Sequence, residues 1–351
     1  MKGIVMKENN PFTLTFGMPP SQLIHRIDDS NQILSSFDPN NSISRTYLIE
    51  GVGGSGKTVL MSTVANTLQA EKAWIVVNLN PTQDLLENLA NRLGNTIRNI
   101  PNFLEKGFNL SACGIGVGIG GTENTKDDIS LIENMLRYIK KKRKNLLITI
   151  DEVVSNENMR VFASQFQIFL REDYPVYLIM TGLYENIYSI QNDPALTFLL
   201  RSPKIKIQPL SLSQITRHYL QVFGIGLDEA RMLAHLTKGY AFGFQALGLL
   251  YWEYRDTLTI EEILVKYDDM LDGYVYHKVW EGLSEQDRKI VLSMEDEEEI
   301  AIKDLLKRIS IPANSFTKYR SRLINKGVCL SPVRGYISLA LPRFRTIAEL
   351  Y

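Results

Sequence analysis

The chain has 351 residues, 44% of them hydrophobic and 22% charged, so it is long enough for two or three domains with cores of their own. Its 39 lysines and arginines balance 39 aspartates and glutamates, which excludes a strongly basic protein and makes any affinity for nucleic acid local. The two cysteines are too few for a disulfide framework. Residues 1–10 lack the apolar core of a signal peptide, and no run approaches the about 18 apolar residues of a membrane span. We therefore expect a cytoplasmic protein without a membrane partner.

The first predicted strand covers residues 44–50, and the loop and helix that follow it carry a phosphate-binding motif. Residues 51–58 read GVGGSGKT and satisfy the pattern G-x-x-x-x-G-K-[ST]. Glycines let consecutive N–H groups turn toward phosphate oxygens, and a helix over 58–70 adds its positive N-terminal end. Lys57 would reach the β- and γ-phosphates, and Thr58 would bind Mg²⁺. The predicted nucleotide-binding residues of this stretch are Gly51, Val52, Gly53, Gly54, Ser55, Gly56, Lys57, Thr58 and Val59.

A second strand over 73–80 precedes a connection that is longer than the fold needs. Its excess lies in residues 99–128, which form either a surface decoration or an insertion that contacts DNA or a partner. GIGVGIGG (114–121) has glycine spacings like those of a dinucleotide loop, but no helix follows, so we interpret it as a hairpin. TKDD (125–128) resembles a guanine-reading box but precedes the next strand, so ATP is predicted rather than GTP.

An apolar run over 145–150 predicts a strand buried on both faces, and two acids follow it. Ligands of α/β sheets bind at the C-terminal ends of strands, so Asp151 would hold Mg²⁺ and Glu152 would orient and deprotonate the attacking water. A strand over 174–182 carries Thr181, either a γ-phosphate sensor between the two motif strands or a plain strand-end threonine. A strand over 204–210 completes five strands that alternate with helices, which predicts a parallel sheet.

The alternation of strands and helices stops after about residue 211. Four segments up to residue 273 carry apolar residues at spacings of three and four, which predicts a small helical bundle. From residue 284 onward, three helices and a hairpin around 332–335 predict a winged helix-turn-helix, with Ser284 and Asp287 as a capping pair. The predicted domains are therefore 1–210, a P-loop core; 211–280, a helical lid; and 281–351, a winged helix.

The third helix of this predicted winged helix, within residues 311–327, has one face suited to DNA binding. Phe316, Tyr319 and Leu323 share one side at 100° per residue. From Ile300 onward ten lysines and arginines stand against two acids, which suits phosphate contacts. The residues predicted to contact double-stranded DNA are Asn314, Lys318, Ser321, Arg322 and Asn325 on the helix and Arg334 at the hairpin tip. A winged helix that docks a protein is the alternative.

Together these motifs resemble the AAA+ ATPases, in the initiator-like and archaeal-ATPase branch. The resemblance covers nearly the whole chain and implies a five-stranded parallel α/β P-loop sheet, a helical lid, a winged helix, and ATP and Mg²⁺ as cofactors. It implies that residues 10–28 lie across the adenine, with Ile24 and Arg26 in a hydrophobic-x-Arg element. Arg201 matches an arginine finger for a neighbouring subunit of a homo-oligomer; otherwise it is a surface cation at a helix end. Residues 237–248 resemble the lid segment of the second sensor but lack its arginine, which implies slow hydrolysis.

Two functions stay open at this point. In the first, an ATPase couples its nucleotide state to DNA binding or assembly through the winged helix. In the second, a signalling or defence ATPase of the STAND type uses the winged helix for protein contacts. The lid and the winged helix disfavour a small-molecule kinase.

Overall fold

The structure is a computed structural model that describes residues 10–14, 23–39, 43–99, 125–309 and 311–351. The chain divides into two compact units. The sheet unit comprises Arg26–Glu50 and Lys57–Lys206, and the helical unit comprises Met1–His25, Gly51–Gly56 and Ile207–Tyr351. The hairpin predicted at 114–121 lies outside the described residues, as do Cys113 and most of the predicted insertion.

Five parallel strands form the sheet, in the order β2-β3-β4-β1-β5. They are β1 Thr46–Glu50, β2 Trp74–Leu79, β3 Asn145–Ile150, β4 Val176–Gly182 and β5 Lys204–Lys206. Every residue of the three inner strands is buried, whereas both edge strands contain exposed positions. Strands covered by helices on both faces have to be apolar throughout, which explains the uninterrupted runs in the sequence. The predicted five-stranded parallel sheet is confirmed.

Helices of the sheet unit cover the strands, and those that follow β2 share one apolar core with one face of the sheet. The helices of the unit are α1 Ile27–Ser36, α2 Lys57–Ala70, α3 Leu85–Asn99, α4 Thr125–Lys141, α5 Glu157–Arg171 and α6 Tyr184–Gln191, with a 3-10 segment at Pro194–Arg201. Leu89 of α3, Leu136 of α4 and Phe162 of α5 are fully buried against the strands. Asn156 caps α5 by accepting a hydrogen bond of 2.9 Å from the N–H of Met159.

The first part of the helical unit is a bundle of helices. It contains α7 Leu212–Phe223, α8 Leu227–Leu236, α9 Ala241–Tyr254, α10 Ile260–Leu271, a π-helical turn at Asp272–Tyr276, and α11 His277–Glu281. Gly224 ends α7 at φ 65°, a left-handed conformation that favours glycine. Thr259 and Glu262 form a capping box at the start of α10.

The second part combines four helices with a three-stranded antiparallel sheet of order β6-β8-β7. The elements are α12 Glu285–Leu292, β6 Ile300–Ala301, α13 Ile302–Arg308, α14 Ala313–Asn325, β7 Cys329–Leu330, β8 Tyr336–Leu339 and α15 Phe344–Ala348. Ser284 and Asp287 form the predicted capping box, and β7 and β8 form the predicted hairpin.

The bundle and the last seventy residues share one buried core, although the sequence divides them at 280/281. The Tyr276 ring meets the Phe344 ring at a centroid distance of 4.9 Å, and its hydroxyl donates a hydrogen bond of 2.8 Å to the carbonyl of Pro342. The boundary at 280/281 therefore marks a change of sequence pattern and not the start of a separate core. The predicted boundary at 210/211 lies near the division between the two units at Lys206 and Ile207, and the three-domain division stays a prediction.

Cys329 is buried in the helical unit, and burial raises the pKa of its thiol to about 12. A thiol that stays protonated at neutral pH is a poor nucleophile. Among the described residues, no helix has the length and apolar character needed to cross a membrane.

Candidate nucleotide-binding site and nucleic-acid interface

The phosphate-binding motif has the backbone conformation that its glycines permit. The loop follows β1 directly and α2 begins at Lys57, so the predicted order of strand, loop and helix is confirmed. Gly54 and Gly56 have φ angles of 69° and 96°, which favour glycine. At Gly51 an added Cβ would lie 2.7 Å from the Ser55 hydroxyl oxygen and 3.2 Å from the Cβ of Ile207. The loop therefore has no room for a side chain at its first position.

In the sheet unit, the two predicted metal ligands are in direct contact. The Thr58 hydroxyl donates a hydrogen bond of 2.8 Å to Asp151 Oδ2. The Thr181 hydroxyl donates to Asp151 Oδ1, and the N–H of Glu152 lies 3.1 Å from the same carboxylate oxygen. Mg²⁺ in nucleotide sites usually takes one or two protein oxygens and completes its shell with water and phosphate oxygens. A hydroxyl and a carboxylate at this distance fit that requirement.

Lys57 is buried at the first turn of α2, with 7% of its surface exposed. Burial lowers the pKa of its ammonium group, and the charges of Asp151 and Glu152 partly offset that effect. An ammonium group in such surroundings is suited to an anionic ligand, because a second negative group would stabilise its charged form.

Glu152 has an exposed side chain and an unusual backbone conformation, with φ at 51°. This left-handed conformation is costly for a glutamate, and strain of this kind is concentrated at functional sites. The N–H of Glu152 lies 3.2 Å from the Thr181 hydroxyl, and the N–H of Val153 donates to the Thr181 carbonyl at 2.9 Å. The loop after β3 is thus fixed to β4 while the carboxylate faces solvent.

The strand order places β4 between β3 and β1, as the predicted role of Thr181 requires. Thr181 is fully buried, pairs in register with Ile49, and its hydroxyl contacts Asp151. A γ-phosphate-sensing role remains a prediction.

The other residues predicted to bind nucleotide or to complete its site lie outside the cluster around Asp151. Ile24 is half-buried against the core of the helical unit, whereas Arg26 precedes α1 in the sheet unit and burial lowers the pKa of its guanidinium group. Residues 15–22 of the predicted adenine segment are outside the described part of the chain. Val59 is half-buried in α2, and Arg201 is exposed at the end of the 3-10 segment.

One acid beside the motif was missed in the sequence. Glu50 ends β1, is 7% exposed, and its Oε2 has no hydrogen-bond partner among the described residues. Burial raises the pKa of this carboxyl group, and the charges of Lys204 and Lys206 oppose the shift. The only sequence signal was an acid at the end of an apolar strand, directly before the loop.

The predicted lid segment at 237–248, which lacks the sensor arginine, lies beside the phosphate-binding loop in the helical unit. Its aromatic residues contact the loop. Tyr240 precedes α9 and Phe242 lies in its first turn, where both approach Gly53 and Gly54. No local sequence pattern predicts this contact, because 187 positions separate Gly53 from Tyr240. Gln245 of the same segment accepts a hydrogen bond from the N–H of Thr13.

The predicted DNA-binding face of α14 is mostly exposed. Phe316 and Leu323 are buried, and Tyr319 packs against the same core. The exposed members of the predicted set are Asn314, Lys318, Ser321 and Arg334, and Asn325 is half-buried. DNA contact by these residues remains a prediction.

Arg322 is only partly exposed and pairs with groups of the fold, so its predicted DNA contact stays a prediction. Its guanidinium group lies 2.6 Å from Asp287 Oδ2, donates to Ser284 Oγ at 2.6 Å, and covers the Tyr319 ring at 5.1 Å. At 100° per residue, Arg322 lies on the flank of α14, roughly 90° from its apolar face, so a long side chain can turn inward. It links α14 to the start of α12.

The local charge excess after Ile300 is smaller at the surface than the residue count indicates. Three arginines pair with acids that precede residue 300: Arg322 with Asp287, Arg343 with Asp268, and Arg345 with Glu295. Among the described residues from Ile300 onward, the exposed cations are Lys303, Lys307, Arg308, Lys318 and Arg334. A basic surface remains, but about half of the predicted charge stabilises the fold.

Comparison with known proteins identifies the fold. The family model described as a domain of unknown function (DUF8462) matches residues 273–346. Curated protein sequences give no match. Among solved structures, the ORC2 protein of Aeropyrum pernix in its ADPNP–ADP complexes is similar at a TM-score of 0.55, with 13% identity over 96% of both chains. Cdc6p of Pyrobaculum aerophilum is similar at a TM-score of 0.51, with 14% identity over 96% of both chains. The chain has the AAA+ fold.

Within this AAA+ fold, the structure brings together four of the predicted site residues: Lys57, Thr58, Asp151 and Thr181, with Glu152 adjoining them. The resemblance to initiator-like AAA+ proteins is confirmed at the level of the fold. The adenine contacts of Ile24 and Arg26 and the finger role of Arg201 stay predictions.

Proposed function

We propose that this AAA+ protein binds and slowly hydrolyses ATP, and that its nucleotide state controls DNA binding or assembly through the module of α12–α15. The observation that carries the proposal is the hydrogen bond of 2.8 Å between Thr58 and Asp151 beside the buried Lys57. A hydroxyl, a carboxylate and an ammonium group in this order match the parts that a P-loop site needs.

Each residue of the cluster has a role in the proposed reaction. Bound Mg·ATP would supply the phosphoanhydride bond and a metal that neutralises developing charge. Thr58 and Asp151 would hold the metal, directly or through water, and Lys57 would contact the β- and γ-phosphate oxygens. Glu152 would orient a water molecule and accept its proton, and Thr181 would hold the Asp151 carboxylate in place. Arg201 would complete the site of a neighbouring subunit.

Coupling to the C-terminal module is supported by a contact within the helical unit. Gly327 follows α14 with φ at 74°, and an added Cβ there would lie 3.3 Å from the Cβ of Val52 in the phosphate-binding loop. A loop that shifts when phosphate binds would displace this turn and with it the end of α14. The lack of a lid arginine supports slow hydrolysis, and therefore a switch.

Double-stranded DNA is the partner that the surface of α14 and the hairpin supports best. Asn314, Lys318 and Ser321 offer amide, cation and hydroxyl groups on one exposed helix face, and Arg334 extends from the hairpin turn. Side chains of these kinds read base edges and phosphates. The module would act as a winged helix-turn-helix.

Calorimetric titration with ATP and Mg²⁺ tests nucleotide binding, with Lys57→Ala as the variant that should lose it. Glu152→Gln should bind ATP and stop hydrolysis, since the amide cannot accept the proton. Absence of ATP binding by the folded wild type would refute the proposal.

A gel shift at several salt concentrations, with and without ATP, tests the DNA partner. Lys318→Ala should weaken binding and reduce its salt dependence, whereas Lys266→Ala on the exposed side of α10 should not. If the wild type binds no DNA at low salt yet binds ATP, the STAND-like switch with protein contacts becomes the better assignment.

A further inference from the structure

Two hydrogen bonds join the lid segment to the phosphate-binding loop inside the helical unit. The Tyr240 hydroxyl donates to the carbonyl of Gly53 at 2.7 Å. The N–H of Phe242 donates to the carbonyl of Gly54 at 2.9 Å. Two adjacent peptide groups of the motif are therefore held from the same side of the bundle, at the start of α9.

Holding a carbonyl also orients the N–H group of the same peptide. A trans peptide is planar, and its N–H points opposite to its C=O. The contact at Gly53 therefore fixes the direction of the Gly54 N–H. The contact at Gly54 fixes that of the Ser55 N–H, which donates to the carbonyl of Val52 at 3.3 Å in this structure. Backbone N–H groups of this motif are the donors that bind phosphate oxygens.

The donor on the lid is buried among aromatic rings and remains protonated. Tyr240 is 5% exposed, and its ring lies near those of Phe242 and Tyr276 at centroid distances of 6.2 and 6.3 Å. Burial raises the pKa of its hydroxyl far above the ordinary value, so the group stays a donor throughout the physiological range.

Close packing makes the contact specific to glycine. A Cβ added at Gly54 would lie 2.3 Å from the Tyr240 hydroxyl oxygen and 2.8 Å from the Cβ of Phe242. Gly54 also has φ at 69°. The extra glycine of GVGGSGKT thus has a steric reason beyond the general motif, because x positions of the pattern tolerate side chains.

We propose that Tyr240, together with the N–H of Phe242, is a positioning residue that holds the phosphate-binding loop in the form that accepts nucleotide. The inference rests on the proposed nucleotide binding. Here the lid acts on the backbone of the loop through an aromatic hydroxyl, at a segment that has no arginine for the phosphates. The lid and the loop therefore respond to nucleotide as one piece.

The test compares two variants that each lose one buried hydroxyl. Tyr240→Phe removes the bond to Gly53, and Tyr219→Phe removes a bond of the same length, 2.7 Å, to the carbonyl of Phe244 in the same core. A buried hydrogen bond of this kind is worth about a 3- to 10-fold change in an equilibrium constant. We expect Tyr240→Phe to weaken ADP and ATP binding by about this factor and Tyr219→Phe to leave both affinities unchanged, although both lower the melting temperature.

The control also separates positioning from general stability. The inference would be overturned if Tyr240→Phe bound nucleotide as tightly as the wild type, or if both variants lost affinity by the same factor. Lys57→Ala gives the independent reference: if it abolishes binding while Tyr240→Phe binds like the wild type, the proposed function stands and only the positioning role fails. If the wild type itself binds no nucleotide, both fail.

Discussion

The guanidinium group of Arg322 and the carboxylate of Asp287 lie 2.6 Å apart, and the Asp287 side chain is 1% exposed. This pair joins α14 to the capping box of α12, since the same carboxylate accepts the N–H of Ser284 at 3.1 Å. A residue that looks like a nucleic-acid contact in the sequence therefore stabilises the module.

Removal of Arg322 should destabilise the protein more than removal of a cation from the exposed face. Arg322→Ala leaves a buried carboxylate without its cation, and we expect a loss of about 1–3 kcal/mol in the free energy of unfolding, because Arg322 itself is partly exposed. Urea denaturation measures the loss. Lys318→Ala, on the exposed face of the same helix, should change this free energy by less than about 0.5 kcal/mol. The opposite order of the two variants would contradict the role of Arg322.

The contact between Thr58 and Asp151 predicts that Mg²⁺ strengthens ATP binding less when the Thr58 hydroxyl is removed. Thr58→Ala removes the hydroxyl beside the carboxylate, and we expect the gain in ATP affinity on adding Mg²⁺ to fall about tenfold. Titration calorimetry with Mg²⁺ and with a chelator measures this gain. Thr63→Ala is the matched control, since the Thr63 hydroxyl donates to the carbonyl of Val59 on the same helix. A similar loss in the control would show that the effect arises from the helix.

Replacing Glu152 by glycine should stabilise the folded protein and at the same time lower its ATP turnover. Because its φ is 51°, Glu152→Gly should raise the free energy of unfolding by about 0.5–1 kcal/mol relative to Glu152→Ala, which retains the strain. Both variants should lose about 10²- to 10⁴-fold in ATP turnover, because neither has a base. Denaturation and a phosphate-release assay measure the two quantities. Turnover in Glu152→Ala equal to that of the wild type would exclude Glu152 as the base.

The sheet and its motifs could be predicted because their signals are local. A run of apolar residues such as 145–150 specifies a strand buried on both faces, and the glycine pattern of 51–58 predicts a loop between a strand and a helix. The strand predicted over 204–210 is shorter because its ladder ends at Lys206. Its partner β1 ends at Glu50, which pairs with Lys206, so the run has no strand to pair with beyond that position.

The contacts that refine the site could not be predicted, because they join residues distant in the chain. Helical periodicity gives the direction of Arg322 but not the presence of Asp287, which lies 35 positions earlier. Likewise, no local pattern links Tyr240 to Gly53. The sequence shows that the predicted lid segment lacks a sensor arginine. Only the structure shows that the Tyr240 hydroxyl contacts the loop.

Glu50 predicts a pH dependence of stability. Burial raises the pKa of this carboxyl group in the folded chain, so the folded state favours the protonated form. The stability it contributes is present below the unfolded pKa and is lost as pH rises through the folded pKa. We therefore expect Glu50→Gln to be more stable than the wild type at neutral pH, and the difference to shrink as the pH is lowered. Unfolding free energies across this range measure it, and Glu71→Gln, an exposed acid, should show no such trend. A difference that is constant with pH would contradict the prediction.

Arg201 provides a test of assembly as well as of chemistry. It is exposed at the end of the 3-10 segment, where it can extend toward a second copy of the chain. If it acts on a neighbour's nucleotide, Arg201→Ala and Glu152→Gln should each be inactive alone but regain part of the ATP turnover when mixed, because some interfaces then pair an intact finger with an intact base. A phosphate-release assay at increasing concentrations of the mixture measures this recovery.

The matched control for that experiment is Arg171→Ala, another exposed arginine at a helix end. If helix-end charge is all that Arg201 provides, both variants should retain wild-type turnover, since a surface cation beside a helix dipole contributes only about 0.3–1 kcal/mol to stability. Loss of turnover in Arg201→Ala alone, without recovery on mixing, would place Arg201 in the site of its own chain. Recovery would establish that the active form contains at least two copies, since only an interface between copies can combine the two intact residues.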